Sequence, residues 1–338
     1  MFTKWKPPKD CKRISTIDLH AGGEPLRIIV DGLPKIQGQT ILEKSEFVRK
    51  NLDFVRTALI GEPRGHADMY GCIITEPTSK DSLFGVIFLH NEGYSSMCGH
   101  GIIALGAMCS ETGQVDQSGT AVDTPAGKVI LYVKEQRNGT AFVSFHNVPS
   151  FVVSMDKTIE VEGLGTITYD LAFGGAFYAI CQAESLGFRL VPDEYFRLID
   201  SGIRIKEAIS RKDPVSHPFE RDLSFLYGTI FTGPPLQSQN HSRNVCVFAN
   251  GEVDRSPTGT GVSARAALHF ARNEISIGKT FRVESIIGTI FTGSVFEPTR
   301  FGPFDAVIPE VSGSAYITGR HEFILDPRDP LKNGFFLR

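Results

Sequence analysis

The sequence predicts an α/β chain built as two related halves with one site between them. Its 338 residues suit two domains of ordinary size, each able to bury a core. Strand-like alternating runs interleave with helix-like amphipathic ones along the whole chain. The third observation is a repeated loop-to-helix junction. Ser95-Ser96-Met97-Cys98-Gly99-His100-Gly101-Ile102-Ile103-Ala104-Leu105-Gly106 recurs in plan 160 residues later as Asp254-Arg255-Ser256-Pro257-Thr258-Gly259-Thr260-Gly261-Val262-Ser263-Ala264-Arg265. Each junction has one thiol- or hydroxyl-bearing residue, then Gly-x-Gly, then small and apolar helix formers. Free N–H groups and the positive end of a helix dipole gather at such a junction. They stabilise a thiolate and welcome a carboxylate.

Taken in order, residues 14–20 alternate like a strand, Ala21-Gly22-Gly23-Glu24-Pro25 turns, and 26–30 returns. From 40 to 59, apolar residues at Ile41, Leu42, Phe47, Val48, Leu52, Val55 and Leu59 recur at threes and fours, which predicts one amphipathic helix. Glu62-Pro63-Arg64-Gly65-His66 ends it. Strands at 69–75 and 85–90 lead into the cysteine loop, and the helix opened by Gly99 runs to about Glu111. Asp123-Thr124-Pro125-Ala126-Gly127 reads as a turn, and 128–134 with 140–148 as a hairpin around Asn138-Gly139. A second half then begins with strands at 159–169 and 176–181, a helix at 192–210, and strands at 224–231 and 244–249. The Asp254 loop and its helix follow, up to about Arg272, with later strands at 280–285 and 288–296. The run 315–325 returns toward the first half. The expected division is residues 1–155, carrying Cys98 and rejoined by about 312–338, and residues 156–311, carrying Asp254 and Thr258.

Composition narrows the function. Apolar content of 41 % and charged content of 22 % are those of a soluble globular chain. A net charge of -3 without a basic block gives no sign of a nucleic-acid or membrane surface, so a small molecule is the expected partner. No run approaches the roughly 18–20 apolar residues of a membrane helix. The six cysteines include no Cys-x-x-Cys pair, which points to free thiols in a reducing compartment, the cytoplasm by default. The histidines show no metal-ligand spacing, and no metal site is expected.

Both junctions satisfy a loose dinucleotide pattern, Gly99-x-Gly101-x-x-Ala104 and Gly259-x-Gly261-x-x-Ala264. The residues feeding them are polar and broken by proline instead of forming an apolar strand, so a nicotinamide or flavin site is not expected. Cys98 and His100 stand at i and i+2 of a helix start, where side chains diverge. His100 is therefore expected to serve through its backbone N–H and not as a base for Cys98. Cys72, Cys109, Cys181 and Cys246 read as inert core thiols. Asp254 either caps its turn or, beside an anion-binding loop, holds the ammonium of an amino acid whose carboxylate sits on the N–H groups.

Met97-Cys98-Gly99-His100-Gly101 and Asp254-Arg255-Ser256-Pro257-Thr258-Gly259-Thr260-Gly261 closely resemble the two signatures of the proline racemase family. His20-Ala21-Gly22-Gly23-Glu24-Pro25, Glu62-Pro63-Arg64-Gly65-His66, Asp68-Met69-Tyr70-Gly71 and Phe88-Leu89-His90-Asn91-Glu92-Gly93-Tyr94 resemble it too. The resemblance implies two pseudo-symmetric halves, each a mixed sheet wrapped around a central helix, with a cofactor-independent site in the cleft. In racemases and epimerases of this family two cysteines face opposite sides of the substrate Cα. Here the first is kept as Cys98 and the second is Thr258. A threonine hydroxyl is far too weak an acid to trade protons as a thiol does. The cysteine–threonine pair is that of the trans-3-hydroxy-L-proline dehydratases, which implies a hydro-lyase giving Δ1-pyrroline-2-carboxylate, with Cys98 taking the α-proton. N–H groups of Gly99, His100, Gly259 and Thr260 would hold the carboxylate, Asp254 the ring nitrogen, and Tyr70 and Phe248 would wall the pocket. A racemase or epimerase of the same family is the alternative reading, and a non-catalytic amino-acid binder a third. Homodimerisation is common in the family.

Overall fold

Seventeen strands and five α-helices are described in the computed structural model, which covers residues 2–116, 118–135 and 141–337. The turn expected at Asn138-Gly139 lies outside the described residues. The helices are α1 (Ile41–Asn51), α2 (Asp53–Ile60), α3 (Gly99–Glu111), α4 (Tyr195–Lys212) and α5 (Gly259–Ala271).

The strands close into two rings. In the first, Lys12–Ala21 pairs with Glu24–Asp31, which pairs in parallel with Gly71–Thr75. The ring continues through Ser82–His90, Thr120–Thr124, Gly127–Glu135 and Ala141–His146. Ala141–His146 then pairs with the middle of Phe304–Leu325, whose far end returns to Lys12–Ala21. The second ring runs Ser150–Val161, Gly165–Phe173, Phe177–Gln182, Leu226–Gly233, Ser242–Phe248, Phe281–Glu284 and Ile290–Phe301. It too closes on Phe304–Leu325, through Phe151 opposite Ala306 and the long pairing with Ile290–Phe301. That 22-residue strand therefore belongs to both rings. Closure leaves few free edges.

One helix threads each ring. Gly99 to Ala107 of α3 and Gly259 to His269 of α5 are buried on every side; α3 is accordingly small and apolar, while the buried Arg265 of α5 is paired with Asn244 and His269. Gly106 lets α3 approach the sheet, since a Cβ there would lie 2.5 Å from Val143 Cγ1. α4 is the contrasting case: its buried residues, Leu198, Ser201, Gly202, Ile205 and Ile209, fall on one stripe that covers Leu226–Gly233 and Ser242–Phe248.

Two expectations are corrected. The single helix over 40–59 breaks at Leu52 (φ −131°, ψ 13°) into α1 and α2. The break is fixed by Asp53, whose carboxylate accepts from Arg56 Nε and from the Tyr94 hydroxyl, each at 2.8 Å. Both helices still cover one small core with Ile14, Ile29, Ile73 and Ile87, so the apolar spacing survives the kink. The strand over 159–169 is a hairpin of Ser150–Val161 and Gly165–Phe173, turning through Gly163 and Gly165 at φ +75° and +76°. β-Branched residues on both arms hid that turn. Among the described residues no helix is long and apolar enough to cross a membrane.

Candidate active site

The N-termini of α3 and α5 meet head to head between the rings. A Cβ on Gly99 would lie 2.5 Å from the Gly259 Cα, and one on Gly259 would lie 2.6 Å from the Gly99 Cα. Only glycine allows this approach, which accounts for the first glycine of each junction. Two positive dipole ends thus converge on one point. The N–H groups of Gly99, His100, Gly259 and Thr260 find no backbone acceptor among the described residues and are free for an anion.

Around that point lies a small, tight cavity of ≈ 20 Å³. Every residue expected from the sequence lines it: Cys98, Thr258, Gly99, His100, Asp254, Gly259, Thr260, Tyr70 and Phe248. The sequence reading missed Met97, Tyr178, Tyr227 and Cys246 on the same wall. Cys246 read as inert core, and burial does push its thiol up. The tyrosines stand in apolar strands, Phe177–Gln182 and Leu226–Gly233, where periodicity reads them as packing. Among the described residues no cluster of His, Cys, Asp or Glu is placed to hold a metal.

Cys98 is the N-cap of α3, with extended backbone (φ −144°, ψ 108°) and its sulfur accepting from the Gly101 N–H at 3.2 Å. Burial pushes its thiol well above the usual range. The Gly101 N–H and the Tyr70 hydroxyl act against this, while the Asp254 and Glu24 carboxylates add to it. The resting sulfur is therefore a thiol. His100 requires a correction: its Nδ1 lies 3.2 Å from Cys98 Sγ. The divergence of i and i+2 holds for two helical residues, but Cys98 is an extended cap whose side chain swings back over the first turn. Burial holds His100 down to about 3, so its ring stays neutral and meets the thiol as a hydrogen-bond partner and not as a base.

Thr258 faces the cavity from the second junction but does not repeat the cap. Its backbone is left-handed (φ 65°), a strained conformation for a β-branched residue. Its hydroxyl is buried without a well-formed hydrogen bond, though it lies near enough to the Asp254 carboxylate to lower its pKa. Ser256 Oγ accepts the Thr258 N–H at 3.1 Å, and Asn244 Nδ2 donates to the Pro257 carbonyl at 3.1 Å.

Asp254 is 5 % exposed, and its carboxylate accepts the Ser256 N–H at 2.7 Å. It is thus both a turn former and a cavity group. Burial raises its pKa to about 6. The Asp254 loop is latched by the opposite ring, where Glu24, at the tip of the first hairpin, accepts the Arg255 N–H at 2.7 Å. The Arg255 guanidinium pairs with Asp68 at 2.6 Å. Burial and the neighbouring Asp254 charge raise Glu24 well above the usual carboxylate range.

Two closed sheets, each threaded by a helix whose N-terminus opens on a shared cavity, form the architecture of amino-acid racemases and epimerases. A hydroxyproline epimerase from Agrobacterium vitis, solved with bound trans-4-hydroxy-L-proline, superposes with a TM-score of 0.90 at 29 % identity, over 96 % of this chain and 95 % of that one. The chain belongs to the proline racemase family, whose profile matches residues 16–336. It is 47 % identical to a trans-3-hydroxy-L-proline dehydratase of Colwellia psychrerythraea, over 100 % of this chain and 97 % of that protein. It is also 42 % identical to a 3-hydroxyproline 2-epimerase of Burkholderia multivorans, over 98 % and 100 %.

Proposed function

We propose that this chain dehydrates trans-3-hydroxy-L-proline to Δ1-pyrroline-2-carboxylate, using only its own groups. The observation that carries the reading is the unequal pair across the cavity, a capped thiol at Cys98 and a hydroxyl at Thr258. The substrate carboxylate sits on the N–H groups of Gly99, His100, Gly259 and Thr260, which also stabilise charge that develops toward the enolate. Asp254 holds the ring ammonium. Cys98 acts as its thiolate, the form that the Gly101 N–H and the Tyr70 hydroxyl favour, and removes the α-proton. The electron pair left at Cα forms the Cα–Cβ double bond as the 3-hydroxyl leaves. The enamine then tautomerises to the Δ1 imine.

Stereochemistry supports one base over two. In the trans isomer of the L-amino acid, the 3-hydroxyl lies opposite the carboxylate and therefore on the same ring face as the α-hydrogen. Elimination is syn, and all of its proton traffic takes place on the Cys98 face. Thr258 covers the other face, where an epimerase needs an acid able to deliver a proton. A threonine hydroxyl does not meet that need. The 3-hydroxyproline 2-epimerase reading would require Thr258 to do so, and a binder would have no use for the Cys98 thiolate.

Incubation of the purified protein with trans-3-hydroxy-L-proline, followed by mass spectrometry, tests the reading. A product lighter by one water is expected, and recovery of only the C2 epimer would overturn it. The same reading places the protein in the cytoplasm, in keeping with six free cysteines, and includes assembly as a homodimer, which light scattering checks.

A further inference from the structure

Behind the cavity wall, three buried hydroxyls are joined in series. Tyr70 donates to Ser95 Oγ, Ser95 Oγ lies 2.7 Å from Tyr227 Oη, and the two phenols are 3.5 Å apart. Tyr70 and Tyr227 line the cavity, whereas Ser95 stands behind them. The series starts beside the base, because Tyr70 and Cys98 line the same cavity and the phenol lies near enough to the thiol to shift its pKa. At its other end Tyr227 is stacked on Phe248 (5.2 Å between centroids, 15°), which fixes its ring against the pocket. Phenylalanine and alanine would pack in much the same volume. The hydroxyls thus form a continuous path, Tyr70–Ser95–Tyr227, with both ends on the cavity and the Tyr70 end beside Cys98.

The dehydratase reading leaves one proton unassigned. Hydroxide is a poor leaving group and must depart as water, while each turnover leaves the α-proton on Cys98. Syn geometry puts the departing hydroxyl on the Cys98 face, so Thr258 on the opposite face cannot serve it.

We propose that Tyr227 is the acid that protonates the departing 3-hydroxyl, resupplied from Cys98 through Tyr70 and Ser95. The inference rests on the dehydratase reading. The Cα–H bond breaks and its proton goes to the Cys98 thiolate. The Cα pair forms the double bond, the Cβ–O bond breaks, and the oxygen takes the Tyr227 proton to leave as water. Tyr227 recovers a proton from Ser95, Ser95 from Tyr70, and Tyr70 from the Cys98 thiol, which restores the thiolate. No co-reactant is consumed. Burial raises both phenols well above their usual range, so they stand protonated and pass the proton in concert instead of dwelling as phenolates.

The test compares wild type, Tyr227→Phe and Ser95→Ala on trans-3-hydroxy-L-proline and on trans-3-fluoro-L-proline, whose fluoride leaves without an acid. Both substitutions should lower kcat for dehydration by roughly 10²–10⁴-fold, the usual worth of a general acid. Fluoride release should fall far less, and thermal melts should show both variants folded. Equal loss on both substrates would reduce the three hydroxyls to packing and overturn the relay. So would undiminished dehydration in either variant, which would hand the proton transfer to the Cys98 thiol itself. A wild type that dehydrates neither substrate overturns the dehydratase reading, and the relay with it.

Discussion

Replacing Asp254 with asparagine should stabilise the folded chain at pH 8 while crippling it as a catalyst. The carboxyl is buried, and burial raises its pKa from 3.8 to about 6. The folded value lies above the unfolded one, so between about pH 4 and 6 the folded state binds more protons than the unfolded state. Stability therefore falls as pH rises through that window. A rise from 3.8 to about 6 corresponds to a destabilisation of about 3 kcal/mol, absent below about pH 4 and fully present above about pH 6. Asparagine keeps an oxygen for the Ser256 N–H without the charge. Urea unfolding of both proteins at pH 4 and pH 8 measures the difference. We expect near-equal stabilities at pH 4 and an asparagine variant more stable by about 3 kcal/mol at pH 8. A difference that is independent of pH, or of opposite sign, would refute the reasoning. The same variant should raise KM roughly 10- to 100-fold, because the substrate ammonium loses a charged hydrogen-bond partner worth about 1.5–3 kcal/mol.

Other perturbations separate the remaining groups. Cys98→Ala should abolish turnover while calorimetry still detects binding of the amino acid, since the N–H groups and Asp254 are intact. Thr258→Cys should introduce a second proton donor, so that Cα of L-proline exchanges with inversion in D₂O, as read by NMR and chiral chromatography. Gly259→Ala forces a Cβ to within 2.6 Å of the Gly99 Cα. It should cost about 1–3 kcal/mol in a denaturant titration and spread the anion site. In wild type, kcat/KM should fall as pH drops through about 6 and Asp254 takes up its proton, a limb missing from the asparagine variant.

The site was legible in the sequence wherever backbone dictates chemistry. Cys98-Gly99-x-Gly101 and Thr258-Gly259-x-Gly261 announce two helix starts that need close approach, and all nine expected residues line the cavity. What sequence could not show is what the rings bring across. Tyr227 is 129 residues from Cys98 (227 − 98) and sits in a strand whose apolar run looks like core. Glu24 latches the Asp254 loop from the opposite ring through a hydrogen bond that no local pattern encodes. The misreading of His100 had a different origin. Helical divergence of side chains starts one residue later, because the cap at Cys98 is extended. The break at Leu52 was hidden because the apolar period continues on both sides of it.

One measurement tests the single-base account most directly, proton NMR of the protein in D₂O with trans-3-hydroxy-L-proline, and L-proline in a parallel tube. The account predicts that the hydroxyproline signals convert to a pyrroline carboxylate while L-proline keeps its configuration. Deuterium entering Cα of L-proline with inversion would contradict it, since Thr258 would then be delivering protons that only a second acid can supply.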